Sequence, residues 1–234
     1  MHSHRCRTVR LPVPRLVQRG KKVANIKTLV YAGGEIHDWK GCGDEIQAAL
    51  EAAGDFEITR VDDDLNCLLD LDPYDVIVFY HTVTSITDEQ LLGLLKFIES
   101  GKGYVGIHSA ADSFRDSPTY RSFVGGHFVT HPRYRQYQVS VTDVERPITE
   151  GMDEFCVTDE QYITSNDPRN TVLANALWKG GLMPVVWTKS WGKGRICYIA
   201  LGHNPESCRD ENFRTLLVRG TAWAATPPAE EAKK

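Results

Sequence analysis

The sequence has no apolar run approaching the roughly 18 residues of a membrane-spanning helix, no C-x-x-C pair among its six cysteines, and no large excess of either charge. Each absence removes a class of function. No membrane span is expected. Cys6, Cys42, Cys67, Cys156, Cys197 and Cys208 are scattered singly, so neither a zinc ribbon nor a dithiol redox motif is expected, and most should be free buried thiols in a reducing, cytoplasmic compartment. The 27 basic and 31 acidic side chains leave a formal net charge of −4, which offers no cationic face to nucleic acid or anionic lipid. The expected partner is a small molecule, with a homo-oligomer left open. Nucleotide signatures are missing too. Gly33-Gly34 lacks the G-x-G-x-x-G spacing, and neither a P-loop nor a G-x-S-x-G elbow occurs, so no nucleotide cofactor is expected and serine-hydrolase chemistry loses its main support.

What is present is ordinary for a globular chain: 234 residues, 41% apolar and 25% charged, enough to bury a sizeable core in one domain. Residues 1–26 stand apart, with Arg5, Arg7, Arg10, Arg15, Arg19, Lys21 and Lys22 and no acidic residue. They have no apolar h-region and so do not read as a secretory signal; a disordered basic tail is expected, with a transit peptide or an overlong reading of the start site as alternatives. The domain should then run over 27–226, with a polar tail at 227–234.

Periodicity gives the expected elements. Strands are expected at 26–32, 56–61, 75–80 and 103–107, the third (DVIVFY) being a continuous β-branched and aromatic run of the kind buried on both faces. Helices are expected at 44–53, with its acidic residues in the first turn and Gly54 as its stop, and at 91–100, opened by a capping box from Thr87 to Gln90. Beyond residue 115 the pattern loosens into loops and short strands, including 138–142 and 171–178. A β-hairpin at 184–190 and 195–201 flanks Trp191-Gly192-Lys193-Gly194, and a last helix covers 210–225. The alternation predicts an α/β fold: a three-layer, flavodoxin-like, doubly wound and mostly parallel sheet with helices on both faces, plus the C-terminal hairpin.

In such a sheet the parallel strands end on one edge, and that edge carries the ligand crevice. His37, His81, His108 and His203 all follow expected strands, so they should converge there. His127 and His131, in a Gly- and Pro-flanked loop, are candidates to hold a divalent metal, zinc or manganese by ligand type. Asp38, Asp112, Glu160 and Glu206 are the carboxylates within reach. Glu160 is the candidate base or ligand, since imidazoles would tune it. Trp39, Tyr162 and Trp187 offer flat faces for a sugar ring.

These blocks together resemble the ThuA-like family, named for trehalose utilisation, within the class I glutamine amidotransferase-like superfamily. The resemblance runs from about Lys27 to Ala225. It is carried by LVYAGGEIHDW (29–39), GIHSAADSF (106–114), GGHFVTHP (125–132), DEQY (159–162), VVWTKSWGKGR (185–195) and ALGHNPES (200–207). In that superfamily a cysteine sits on the turn after a central strand and an H-P-E supplies the base. Here the turn carries His108 and the later block reads His203-Asn204-Pro205-Glu206, so the fold is implied but glutaminase activity is not, because an imidazole cannot form the thioester. The resemblance implies a carbohydrate-derived ligand, and a lyase, hydrolase or isomerase acting on a keto-sugar or 3-keto-glycoside. His108, Glu160 and His203 would be catalytic. His37, Asp38, His81, Ser109, Asp112, Tyr162, Trp187, Asn204 and Glu206 would contact substrate. Two alternatives stay open: a non-catalytic carbohydrate-binding or regulatory protein, and a metal-dependent hydrolase of small amides or esters.

Overall fold

The computed structural model describes residues 25–226; the polar tail at 227–234 and the basic tail up to residue 24, with His2, His4 and Cys6, lie outside the described residues. In chain order the elements are β1 (Ile26–Gly34), α1 (Trp39–Ala53), β2 (Phe56–Asp62), β3 (Val76–Thr82), α2 (Asp88–Glu99), β4 (Gly103–Ile107), α3 (Pro118–Val124), β5 (Gly126–Thr130), β6 (Arg135–Val141), β7 (Phe155–Asp159), β8 (Ile163–Asn166), β9 (Thr171–Trp178), β10 (Gly181–Trp191), β11 (Gly194–Ile199), α4 (Pro205–Cys208) and α5 (Glu211–Ala225). Short 3₁₀ turns occupy Leu65–Leu69 and His108–Asp112. None of the described helices is long and apolar enough to cross a membrane.

Nine strands form one sheet in the order β2-β1-β3-β4-β11-β10-β9-β6-β7, while β5 pairs with β8 in a small second sheet. From β2 to β11 the pairing is parallel; from β11 to β7 it is antiparallel. The parallel half is the flavodoxin-like part of the fold, with helices on both faces. All seven residues of β3 are buried, which is why its sequence does not alternate: both faces meet helices. On one face α1 and α5 pack on each other and on the strands; α2 packs on the Leu65–Leu69 turn and on β11.

Local chemistry explains the element ends. The Thr87 hydroxyl accepts the Gln90 N–H and the Gln90 side chain accepts the Thr87 N–H, the expected capping box. Helix α1 starts five residues before the expected Asp44, so its acidic residues are not in the first turn, a correction to the expectation. Asp38 caps it by accepting the Gly41 N–H at 3.0 Å. Gly41 and Gly43, which look like helix breakers in the sequence, are there for space: a Cβ on Gly43 would lie 1.9 Å from the Arg60 guanidinium. β10 and β11 form the expected hairpin, with Trp191 opposite Gly194.

The antiparallel half positions the site. Four strand spacings of about 4.8 Å would put β7 roughly 19 Å from β11 in a flat sheet. Yet Asp159, the last residue of β7, accepts the backbone N–H of Gly202 at 2.8 Å, just past β11. The sheet therefore curls back over the carboxyl edge of its parallel half. Register shifts at Pro184/Val186 and Val186/Trp187 on β10 are the bulges that bend it.

Candidate functional site

Strand β4 ends at Ile107, and the next residue, His108, turns at φ +44°. A non-glycine residue in this left-handed region is uncommon and needs support. The support is tight: the Tyr198 hydroxyl donates to the His108 carbonyl at 2.5 Å, and a Cβ on Gly106 beneath would sit 2.9 Å from the Tyr104 ring. The His108 side chain is fully buried, with Nδ1 2.8 Å from the Ala200 carbonyl oxygen. A carbonyl can only accept, so Nδ1 carries the hydrogen.

Three other segments bring partners to this ring. His37, in the loop after β1, has its Nδ1 2.8 Å from Thr82 Oγ1 at the end of β3. His203 follows β11; its backbone N–H is bound by Asp159 Oδ1, and its carbonyl accepts the Tyr80 hydroxyl. Glu160 follows β7. The His37 ring centroid lies 5.0 Å from those of His108 and His203, which are 5.4 Å apart. Glu160 Oε2 is 3.6 Å from His108 Nε2 and 3.2 Å from His203 Nδ1, while Oε1 is 2.9 Å from His131 Nδ1. Tyr162 closes the far side, its ring 3.9 Å from that of His108. Side-chain exposure rises from 0% at His108 through 11% at Glu160 and 29% at His203 to 43% at His131, so His108 is the floor and His131 the mouth.

Burial and the neighbouring His108 and His203 rings push His37 down to about 3, so it is neutral at neutral pH. Burial alone would raise the Glu160 carboxyl, but the His108 and His203 rings outweigh it and hold the group well below the usual carboxylate range. For His203 burial acts downward, and the Glu160 and Asp159 carboxylates turn the net shift upward. The site is thus one carboxylate anion ringed by imidazoles.

Of the residues expected from sequence, His37, His108, Glu160, His203, His131 and Tyr162 come together. Others do not, for physical reasons. His81 lies inside β3 and is buried, its ring nitrogens taken by Tyr31 and Thr84. Trp187 is fully buried, donates to the Val124 carbonyl and stacks on Tyr198; it is core, not a sugar platform. Ser109 is fully buried, and Asp112 is held by two hydrogen bonds from Arg115. Asp38 and Asn204 cap α1 and α4, and Glu206 is exposed in the first turn of α4. His127 has a different partner from His131: its Nδ1 is 2.6 Å from Ser165 Oγ, in a cleft of about 280 Å³ shared with Asp112, Arg115 and Arg121.

The sequence reading missed Asp159 and Thr82. Asp159 is buried and accepts the backbone N–H groups of Glu160, Gly202 and His203, which locks the Glu160 segment to the His203 turn. The one signal available was an acidic residue closing an otherwise apolar strand. Thr82 carried no signal, because its role depends on the β1–β3 pairing.

The sequence profile of the ThuA family, described as trehalose utilisation, matches residues 27–224. No curated protein sequence matches. A ThuA-like protein from Parabacteroides merdae superposes with a TM-score of 0.79 at 23% identity, covering 86% of this chain and 90% of that one. Another from Bacteroides uniformis gives 0.74 at 23% identity, covering 89% and 95%. A β-galactosidase from Bacillus circulans gives 0.59 at 12% identity, covering 85% of this chain but 31% of that one, so the same fold also occurs as a part of a much larger protein.

Proposed function

Since the chain belongs to the ThuA trehalose-utilisation family, we propose that it is an enzyme acting on a carbohydrate-derived ligand, a keto-sugar or 3-keto-glycoside, by proton transfer at carbon. The observation that carries this reading is Glu160 with four imidazoles around it at the carboxyl edge of the parallel strands. The turn after β4, which carries a thiol in glutaminases, carries His108 instead, so acyl transfer through a thioester has no nucleophile there.

The chemistry suits the groups. A ketone next to the carbon that neighbours the glycosidic centre acidifies the intervening C–H. A base takes that proton, the C–H electrons form a C=C bond, the glycosidic C–O bond breaks, and the alcohol leaves with a proton. Water adding back completes a hydrolysis; returning the proton elsewhere gives an isomerisation. In this reading His131 is the base. Its Nδ1–H is shared between the Pro132 carbonyl and Glu160 Oε1, each at 2.9 Å, which leaves the Nε2 lone pair free at the exposed mouth. Glu160 orients the ring, as a carboxylate does in a histidine dyad. Fully buried His108 cannot touch a sugar and is a positioning residue.

The test is deuterium exchange at the carbon beside the ketone of a nitrophenyl 3-keto-glucoside, followed by NMR in heavy water alongside nitrophenol release. Exchange should be fast with the wild type. His131→Ala should lower kcat by about 10²-fold or more, the usual contribution of general base catalysis, while KM changes little. Saturable binding without exchange in the wild type would support a carbohydrate-binding protein instead.

A further inference from the structure

We infer that His37, His108, His203 and Glu160 form a binding site for one divalent first-row transition ion, zinc or manganese, at the floor of the cleft. The inference adds to the keto-sugar reading and does not depend on it.

The first observation is convergence. Four donors, one from each of these residues, lie within 4.8 Å of one another, and they are the one such group among the described residues. A tetrahedral ion with bonds of 2.0–2.1 Å separates its ligand atoms by about 3.3–3.4 Å. The separations of 3.6 Å and 3.2 Å from Glu160 Oε2 to His108 Nε2 and His203 Nδ1 bracket that value.

The second observation is unmet hydrogen bonding. His108 Nε2 and His203 Nδ1 are buried atoms with no hydrogen-bond partner. Because the Ala200 carbonyl takes the hydrogen on His108 Nδ1, the neutral ring aims the Nε2 lone pair at the Glu160 carboxylate. In that tautomer no hydrogen lies between the two atoms, so a positive charge, an ion or an added proton, is needed there. A proton on Nε2 would not fill this gap well, since 3.6 Å exceeds the 2.7–3.2 Å of an N–H···O bond. An ion bound to both atoms removes the conflict.

The third is outer support. Ligands of metal sites have their remaining polar atoms held by second partners that orient them. Here His108 Nδ1 is held by Ala200 O, His37 Nδ1 by Thr82 Oγ1, and Glu160 Oε1 by His131. Such pairing leaves His37 Nε2, His108 Nε2 and Glu160 Oε2 to face the centre. Three imidazoles and one carboxylate select zinc or manganese over magnesium or calcium, which prefer all-oxygen shells. His127, bound to Ser165, lies outside the set.

The experiment uses the full chain, stripped with chelator and dialysed, then titrated calorimetrically with Zn²⁺, Mn²⁺ and Mg²⁺ and checked by elemental analysis. We expect one equivalent of Zn²⁺ or Mn²⁺ and no Mg²⁺. Affinity should fall at least 100-fold in His203→Ala and in Glu160→Gln, and remain unchanged in His127→Ala. Circular dichroism of the stripped variants establishes that they fold; His203 is half-buried, so His203→Ala tests the site without emptying the core. Failure of the wild type to take up either ion, or equal uptake by folded His203→Ala, overturns the site. One equivalent of ion with no action on any keto-glycoside keeps the site and removes the substrate reading. Turnover by a wild type that takes up neither ion does the reverse.

Discussion

At the scale of the residue, histidine serves two opposite purposes in this chain. At the sheet edge it faces a carboxylate, whereas inside β3 it is a core group. His81 is buried against Tyr31, Phe79 and Phe114, and burial pushes it down to about 4 from the ordinary 6.5. The unfolded chain takes up a proton there as pH falls through 6.5, while the folded chain resists until about 4. His81 therefore favours the folded state fully above pH 6.5, and that contribution is lost as pH falls toward 4. Its full size is on the order of 3 kcal/mol. Urea midpoints measured from pH 7 to pH 4 should fall less steeply in His81→Gln than in the wild type; parallel curves would mean that His81 is not buried neutral. In sequence the two kinds of histidine look alike, since each follows a β-branched or aromatic run. What separates them is one residue of strand length: β3 continues through Thr82, so His81 stays within the core.

At the scale of the element, ends were more legible where side chains cap the backbone than where packing sets the boundary. The Thr87–Gln90 box is readable because both partners are three residues apart. Thr87→Ala should destabilise by about 1 kcal/mol and lower Tm by about 2–4 °C for a domain of this size, as calorimetry can measure; an unchanged Tm would mean that α2 is held by packing alone. The start of α1 was hidden for the opposite reason. Gly41 and Gly43 argue against helix on propensity, and only the approach of Pro205 and Arg60 explains them. Strands β5, β7 and β8 were equally hidden, being short and, in β5 and β8, paired only with each other. Element position also decided the roles of Asp38 and Asn204. Each stands one residue after a site histidine and has its carboxylate or amide spent on a helix cap.

At the scale of the whole molecule, the sheet has two unequal halves. The parallel half is covered on both faces; the antiparallel half ends in β7, an edge strand paired only with β6. Hydrogen exchange read by mass spectrometry should therefore leave Val76–Thr82 and Gly103–Ile107 among the last segments to exchange, with Arg135–Val141 and Phe155–Asp159 opening earlier by sub-global unfolding. Uniform protection across both halves would contradict this. The functional consequence is that Glu160 is delivered by the antiparallel half to a floor built by the parallel one, with Asp159 as the link.

Sequence by itself determined the parallel half: buried strands are continuous apolar runs, helices repeat at 3.6 residues, and strand ends therefore pointed to His37, His108 and His203. Those signals are local, because they come from the backbone's periodicity and from water's exclusion from one face. Tertiary structure alone decided which histidines share a centre, that Glu160 returns across the sheet to meet them, and that Trp187 and His81 belong to the core. Those outcomes depend on the bulges that curl β10 and on the contact of Asp159 with Gly202. Such contacts join residues far apart in the chain, where periodicity carries no information.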